Sequence, residues 1–187
     1  SYIQHVKKHI PEIEKYVSST RSPMYYTSAI AKEKYPDCKT VFIGPCIAKR
    51  KEAEYSENVD FVMTFEELGS ILDGMEINLE QVAPFQIDKE AYLTSHGYGA
   101  TGGVTKAVVD HLGGPEVNAL LLSNLNKKNI GLLRAYAKSG KCPNQFIEVM
   151  ACENGCISGP VTRIDKATAA KVYTKELARM ATERAKK

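Results

Sequence analysis

Three cysteines of this chain each follow a run of strand-forming residues, which puts thiols where a parallel sheet presents its ligands. Gln145-Phe-Ile-Glu-Val-Met150 is apolar and β-forming apart from Gln145 and the glutamate, and it runs into Ala-Cys152-Glu-Asn-Gly-Cys156, where Asn154 and Gly155 turn the chain. Thr40 to Ile43 is a second such run, ended by Gly44-Pro45 and followed at once by Cys46. In open α/β sheets the crevice beyond the carboxyl ends of the strands is the usual binding place. Thiolates are soft ligands, and cysteine sulfur holds iron–sulfur clusters, commonly with four residues per cluster. Cys46, Cys152 and Cys156 are therefore a ligand set one short. Cys38, in a Pro-Asp-Cys-Lys turn, and Cys142, in a Lys-Cys-Pro turn, are the remaining thiols and the internal candidates for a fourth ligand. Zinc on three cysteines and a histidine is the alternative metal, and a strained Cys152–Cys156 disulfide is a minor one.

Lys49 stands three residues past Cys46, and Glu52 three past Lys49. On a helix that spacing aligns the three side chains along one face. An ammonium held there by a carboxylate can donate to an anionic ligand beside the sulfur. The competing reading is a solvated Lys–Glu pair that contributes little.

The elements that must position these groups read as α/β. Ile3, Val6, Ile10, Ile13 and Val17 recur at helical spacing, with Pro11 starting a second short helix. Ser22-Pro23 is expected to cap a helix running to about Lys34. The Cys46 strand is followed by a Lys/Glu-rich segment, the strand Val59-Asp-Phe-Val-Met63, and a helix with a Thr64/Glu67 capping box. Residues 75–95 read as a loop or insertion. A helix then opens near Val104, and Val117 to Leu122 is an apolar strand expected to be buried on both faces. A helix from Asn129 to Ala137, the Met150 strand and a long helix from about Lys166 to Arg184 complete the order. Two strand groups separated by the 75–95 stretch suggest two lobes with small, mostly parallel sheets, at about 18–85 and 86–165, followed by a helix over 166–187.

At 187 residues, 43% hydrophobic and 25% charged, the chain has the composition of a soluble globular protein with ample core. A net charge of +3 with scattered lysines gives no basic stripe for nucleic acid, and no apolar run approaches membrane-spanning length. Five cysteines are too few for a disulfide scaffold and point to a reducing compartment, the cytoplasm. Gly97-x-Gly99-x-x-Gly102 imitates the dinucleotide fingerprint, but the next strand ends Leu122-Ser-Asn-Leu without the acid that would hold a ribose. Its glycines instead allow a tight turn or close backbone approach. His5, His9, His96 and His111 have no partners at ligand spacing and read as solvated or hydrogen-bonded.

Pro45-Cys46-Ile-Ala-Lys49-Arg-Lys-Glu52 and Glu148-Val-Met150-Ala-Cys152-Glu-Asn-Gly-Cys156-Ile-Ser-Gly159 resemble, in order, the second and third signatures of the iron-only (di-iron) hydrogenase large-subunit catalytic domain. Gly99-Ala-Thr-Gly-Gly-Val104 and Asp60-Phe-Val-Met-Thr-x-x-Glu-Leu68 fall in the same order, so the likeness covers nearly the whole chain. The resemblance implies a 4Fe-4S cluster on Cys46, Cys152 and Cys156 in a crevice between the lobes. The fourth cysteine would come from a first signature, Thr-Ser-Cys-Cys-Pro, expected directly before Ser1. It further implies that Cys156 bridges to a di-iron subsite, the two together forming the H-cluster. Lys49 would donate to a cyanide, Met150 would pack near the bridging carbonyl, Tyr98 and Gly99 would line the pocket, and Ser18 falls at a proton-path position. Protons and hydrogen would be the substrates, with electrons from ferredoxin-like iron–sulfur domains or carrier proteins. Without the first signature the chain alone is expected not to turn over hydrogen. Glu153-Asn154 in place of Pro-Gly, Pro160 in place of a glycine, Met24 in place of Gln and Gly44 in place of Met depart from catalytic members. Such departures resemble members that sense hydrogen or redox state. A non-catalytic iron–sulfur or regulatory domain on the same fold is the alternative.

Overall fold

The computed structural model describes residues 2–85, 91–114 and 116–185. In chain order its helices and strands begin with α1 (Tyr2–His9), α2 (Pro23–Lys34), β1 (Val41–Gly44), α3 (Ala48–Ala53), β2 (Phe61–Thr64) and α4 (Phe65–Gly74). They continue with α5 (Leu93–His96), α6 (Gly103–His111), β3 (Ala119–Ser123), α7 (Lys127–Ser139), β4 (Phe146–Met150) and α8 (Lys166–Arg184). The architecture is α/β, with two compact units that each carry a two-stranded parallel sheet. One unit runs over Ser18–Gln86 and Pro160–Arg163, the other over Ser1–Val17, Ile87–Gly159 and Ile164–Lys187.

In the first of these, β1 and β2 pair from Val41 with Phe61 to Gly44 with Thr64. A polar knot sets that register. The Thr40 N–H donates to Asp60 at 2.8 Å, the Thr40 hydroxyl donates to the Asn58 carbonyl at 2.6 Å, and Lys32 lies 3.1 Å from Asp60. Thr40 itself is buried, so its hydroxyl needs these partners. The Thr64 hydroxyl accepts the Glu67 N–H at 3.1 Å, and the Glu67 carboxylate accepts the Thr64 N–H at 2.8 Å, which is the capping box expected for α4. The Thr64 N–H, helped by Arg50, holds the Glu67 carboxyl down at about 2. Ser22 does precede α2, but its side chain makes no cap hydrogen bond; its hydroxyl goes to Glu52 instead.

The other unit is built on β3–α7–β4, with β3 and β4 paired from Ala119 with Phe146 to Ser123 with Met150. Asn126 caps α7 through the Asn129 N–H at 3.0 Å, and Gly140 ends it in the left-handed region at φ 64°. Pro11 opens the expected second short helix, a 3-10 helix over Pro11–Tyr16. Val6, Ile10 and Ile13 pack with Leu122 of β3 and Leu133 of α7 to form the core. Arg134 secures the end of α1 by donating to the His9 carbonyl at 2.6 Å. β3 is not buried on both faces: Leu122 is inside, but Leu121 is 45% exposed. Leu121 faces the other way, where its side chain meets Gly102 at the start of α6 but stays partly open to solvent. Of the 75–95 stretch, residues 75–85 are without strand and 93–96 form α5, while 86–90 lie outside the described residues.

Leu133 is 1% exposed at the centre of this core. Leu133→Ala is expected to destabilise the fold by about 2–5 kcal/mol, read as a shift of the urea midpoint at unchanged slope.

Candidate metal centre

Cys46 leaves the end of β1 and enters α3, where the Lys49 N–H bonds its carbonyl at 3.2 Å. That turn aims Lys49 at Glu52, with Nζ 2.5 Å from Oε2. Neither side chain is freely solvated, at 22% and 30% exposed. The Ser22 hydroxyl occupies the second carboxylate oxygen, and the Lys49 ammonium lies 5.9 Å from the Phe42 ring centroid. Lys49 is thus oriented from two sides, which separates it from an ordinary surface pair. Its neighbours in the basic run are also paired, Arg50 with Glu67 and Lys51 with Glu54. Ser18 is exposed and accepts the Thr20 N–H at 3.2 Å.

Cys152 and Cys156 lie in the other unit on the loop that follows β4. Its backbone is pinned from two sides. Asn124 and Leu125, after β3, donate to the carbonyls of Cys152 and Ala151, both at 3.2 Å. The glycine loop bonds it through Thr101 N–H to the Asn154 carbonyl at 3.2 Å and through an Ala100–Gly155 bridge. Gly155 has φ +92°, and a Cβ there would fall 2.7 Å from the Gly99 oxygen. Any side chain at this position would drive the two loops apart. Asn124 and Asn154 also have positive φ, at 65° and 61°, a conformation asparagine tolerates better than most residues. Cys152 is half-buried and Cys156 exposed.

The glycine loop is held in turn by Glu148. This residue lies in the middle of β4 and is only 4% exposed. One oxygen accepts the Gly102 N–H at 2.6 Å; the other accepts the Thr105 N–H and the Thr105 hydroxyl, both at 2.8 Å. Gly102 is the N-cap of α6 and has no side chain to satisfy the helix's first amides. A carboxylate from β4 supplies that cap and complements the helix dipole. Gly103 packs directly on the Gly97 carbonyl, since a Cβ there would lie 1.9 Å from that oxygen. The loop is therefore a tight turn preceded by α5 and a 3-10 turn over Gly97–Gly99, unlike a nucleotide fingerprint, which follows a strand. Tyr98 and Gly99 form part of that turn.

Tyr173 of α8 reaches the same place. It donates to the His96 carbonyl and accepts the Gly99 N–H at 3.2 Å. Burial raises its phenol above the usual value; the Gly99 bond opposes the rise and the nearby Cys156 adds to it. The predicted site residues thus fall into two sets. Cys46, Lys49 and Glu52 belong to one unit, and Tyr98, Gly99, Met150, Cys152 and Cys156 to the other. Met150 ends β4, opposite Ser123. Among the described residues no three His, Cys, Asp or Glu side chains are grouped as a cage for a metal ion. By residue type the donors suit an iron–sulfur group: two cysteines on one fixed loop in one unit, and a cysteine one helical turn before Lys49 in the other. Glu148 and Tyr173 were not singled out from the sequence. A lone carboxylate inside an apolar strand was the available signal for Glu148, whereas a tyrosine in a solvent-facing helix gives none.

The fold is α/β, with parallel strands followed by cysteine-bearing segments after β1 and after β4. The chain belongs to the family described as iron only hydrogenase large subunit, C-terminal domain, matched over residues 1–160. Iron hydrogenase 1 of Clostridium pasteurianum is 26% identical over 204 residues, covering 84% of this chain and 36% of that protein. The cytosolic Fe-S cluster assembly factor narfl of Xenopus tropicalis is 27% identical over 204 residues, covering 82% and 43%. A variant of the apo FeFe-hydrogenase HydA1 from Chlamydomonas reinhardtii shares the fold with a TM-score of 0.72 and 22% identity, over 94% of this chain and 63% of that one. The chain thus spans less than half the length of these curated relatives. Among the described residues no helix is long and apolar enough to cross a membrane.

Two outcomes are expected here. Glu148→Ala leaves buried amides without an acceptor, so it is expected to cost about 1–3 kcal/mol and to speed hydrogen exchange at Gly102 and Thr105, measured by NMR. For Glu52, burial pulls the pKa up, but hydrogen bonds from Lys49 and Ser22 outweigh it and the net shift is downward. Its pairing therefore contributes stability above the unfolded glutamate value of about 4.3 and loses it as pH falls through the depressed folded value. Carboxyl NMR is expected to show Glu52 titrating below that value, and higher in Lys49→Met.

Proposed function

We propose that this chain is the H-cluster-binding part of an iron-only hydrogenase-like protein, serving reversible reduction of protons to hydrogen or the sensing of hydrogen or redox state. Cys46, Cys152 and Cys156 would supply thiolates to a 4Fe-4S cluster, and Cys156 would also serve the di-iron subsite. Such a group, when bound, supplies electrons and the metal at which hydrogen chemistry occurs. The observation that supports this reading is the pair of cysteine-bearing segments, each following a parallel strand, one pinned by backbone on two sides and the other one helical turn before a lysine held by Glu52, which Ser22 bonds in turn.

The residues divide the work. Lys49, held against Glu52, offers N–H donors to an anionic ligand with little reorganisation. Met150, by the family resemblance, would pack near the di-iron subsite, and the Tyr98-Gly99 turn, whose Gly99 oxygen packs against Gly155, would line the pocket beside the cysteine loop. Ferredoxin-like iron–sulfur domains or carrier proteins would deliver electrons. A second reading has its own support in the similarity to an Fe-S cluster assembly factor and in Glu153-Asn154, which replace the Pro-Gly of catalytic members: an iron–sulfur protein that does no hydrogen chemistry.

Anaerobic reconstitution of the chain with ferrous iron, sulfide and a small thiol as fourth ligand is expected to give a four-iron spectrum. Cys46→Ser, Cys152→Ser and Cys156→Ser should each lower bound iron. Iron content unchanged in all three variants, or zinc bound without sulfide, would refute the assignment. Infrared bands of carbonyl and cyanide after a synthetic di-iron complex is supplied and unbound complex removed separate the two readings: retained di-iron bands support the first, and a four-iron protein that retains none supports the second.

A further inference from the structure

We propose that Tyr173 is a positioning residue for the Cys156 loop: a latch through which α8 holds the His96–Gly99 turn, and through that turn the cysteine loop. The relevance to a cluster rests on the reading of Cys156 given above; the latch itself does not. α8 lies wholly beyond residue 160, where the family match ends. Little of it is buried. Ala169 is its one buried residue among those described, and Tyr173, one turn on, is half-buried on the same side. The helix makes few polar contacts with the rest of its unit: near its start Lys166 lies 3.6 Å from the exposed Glu153, at its end Arg184 donates to the Ala91 carbonyl at 2.6 Å, and between them the half-buried Tyr173 hydroxyl reaches the 96–99 turn.

That hydroxyl uses both of its capacities on the backbone of a single turn. It donates to the His96 carbonyl and accepts the Gly99 N–H at 3.2 Å. The contact is close-packed as well as polar. A Cβ at Gly99 would lie 3.0 Å from the hydroxyl and 3.2 Å from Cγ2 of Ile157, the residue after Cys156. From Gly99 the chain passes directly to Ala100, which bridges to Gly155, and to Thr101, whose N–H bonds the Asn154 carbonyl at 3.2 Å. Both anchors fall inside the Cys152–Cys156 loop. One phenol therefore fixes a short turn, and two backbone links carry that fixed position to the sulfur-bearing loop.

Phenylalanine fits the same space without the hydroxyl, so Tyr173→Phe removes the two hydrogen bonds and leaves the packing. Val172→Ala, at an exposed position on the same helix, is the control. In the metal-free chain, Tyr173→Phe is expected to raise the exchange rate of the Gly99 amide by about tenfold. Exchange at Thr101 should rise with it, whereas Val172→Ala should change neither. A folded Tyr173→Phe protein with unchanged Gly99 exchange would overturn the latch. Faster exchange at Gly99 with Thr101 untouched would overturn its reach to the cysteine loop. In the iron–sulfur-loaded chain the Tyr173→Phe paramagnetic resonance spectrum is expected to differ from wild type, and an identical spectrum would overturn the positioning role at Cys156. If the wild-type chain takes up no iron, the cluster assignment fails, while the two amide rates still decide the latch.

Discussion

A single buried carboxylate carries much of the order in the unit that holds Cys152 and Cys156. Glu148 sits in a strand whose other side chains are apolar, and it survives there because three donors from α6 and its approach converge on it. The arrangement works in both directions. The helix start has no cap of its own, and the carboxylate would be costly without donors. With the strand and helix tied, the glycine loop lies where Ala100 and Thr101 can meet the cysteine loop, and the two cysteines inherit a fixed backbone.

The second unit reaches a comparable result with charges nearer the surface. Three successive cations, Lys49, Arg50 and Lys51, each find a different carboxylate, in Glu52, Glu67 and Glu54. Glu67 also closes the capping box of α4, so one side chain links the start of that helix to α3. Lys49 is the one with the least exposed partner of the three. Ser22 reinforces it from the end of the connection before α2.

Local signals in the sequence were sufficient for most elements. The Thr64/Glu67 box and the β-branched run before Cys46 each act within a few residues, and each forms as its pattern suggests. Where several roles compete for one group, pattern reading falls short. Ser22 has the sequence of a helix cap, yet a carboxylate thirty residues away takes its hydroxyl. Leu121 belongs to an apolar run suited to a central strand, but in a sheet of two strands it stays partly open to solvent. The cysteine loops were legible because thiols after strand ends are rare and chemically distinctive. Glu148 and Tyr173 were not, since their meaning lies in donors and acceptors brought from far along the chain.

The backbone near residue 160 passes from one unit to the other and back within a few residues. Pro160–Arg163 belongs with Ser18–Gln86, where Arg163 lies 3.0 Å from Asp73, and the chain then returns to the other unit as α8. The recognisable family signature stops at this crossing. A tail grafted, shortened or exchanged at that seam would alter an ion pair in one half and a tyrosine contact in the other at a single stroke. The two effects need no change in the cysteine loop's own residues, because both contacts are made by side chains that lie after it.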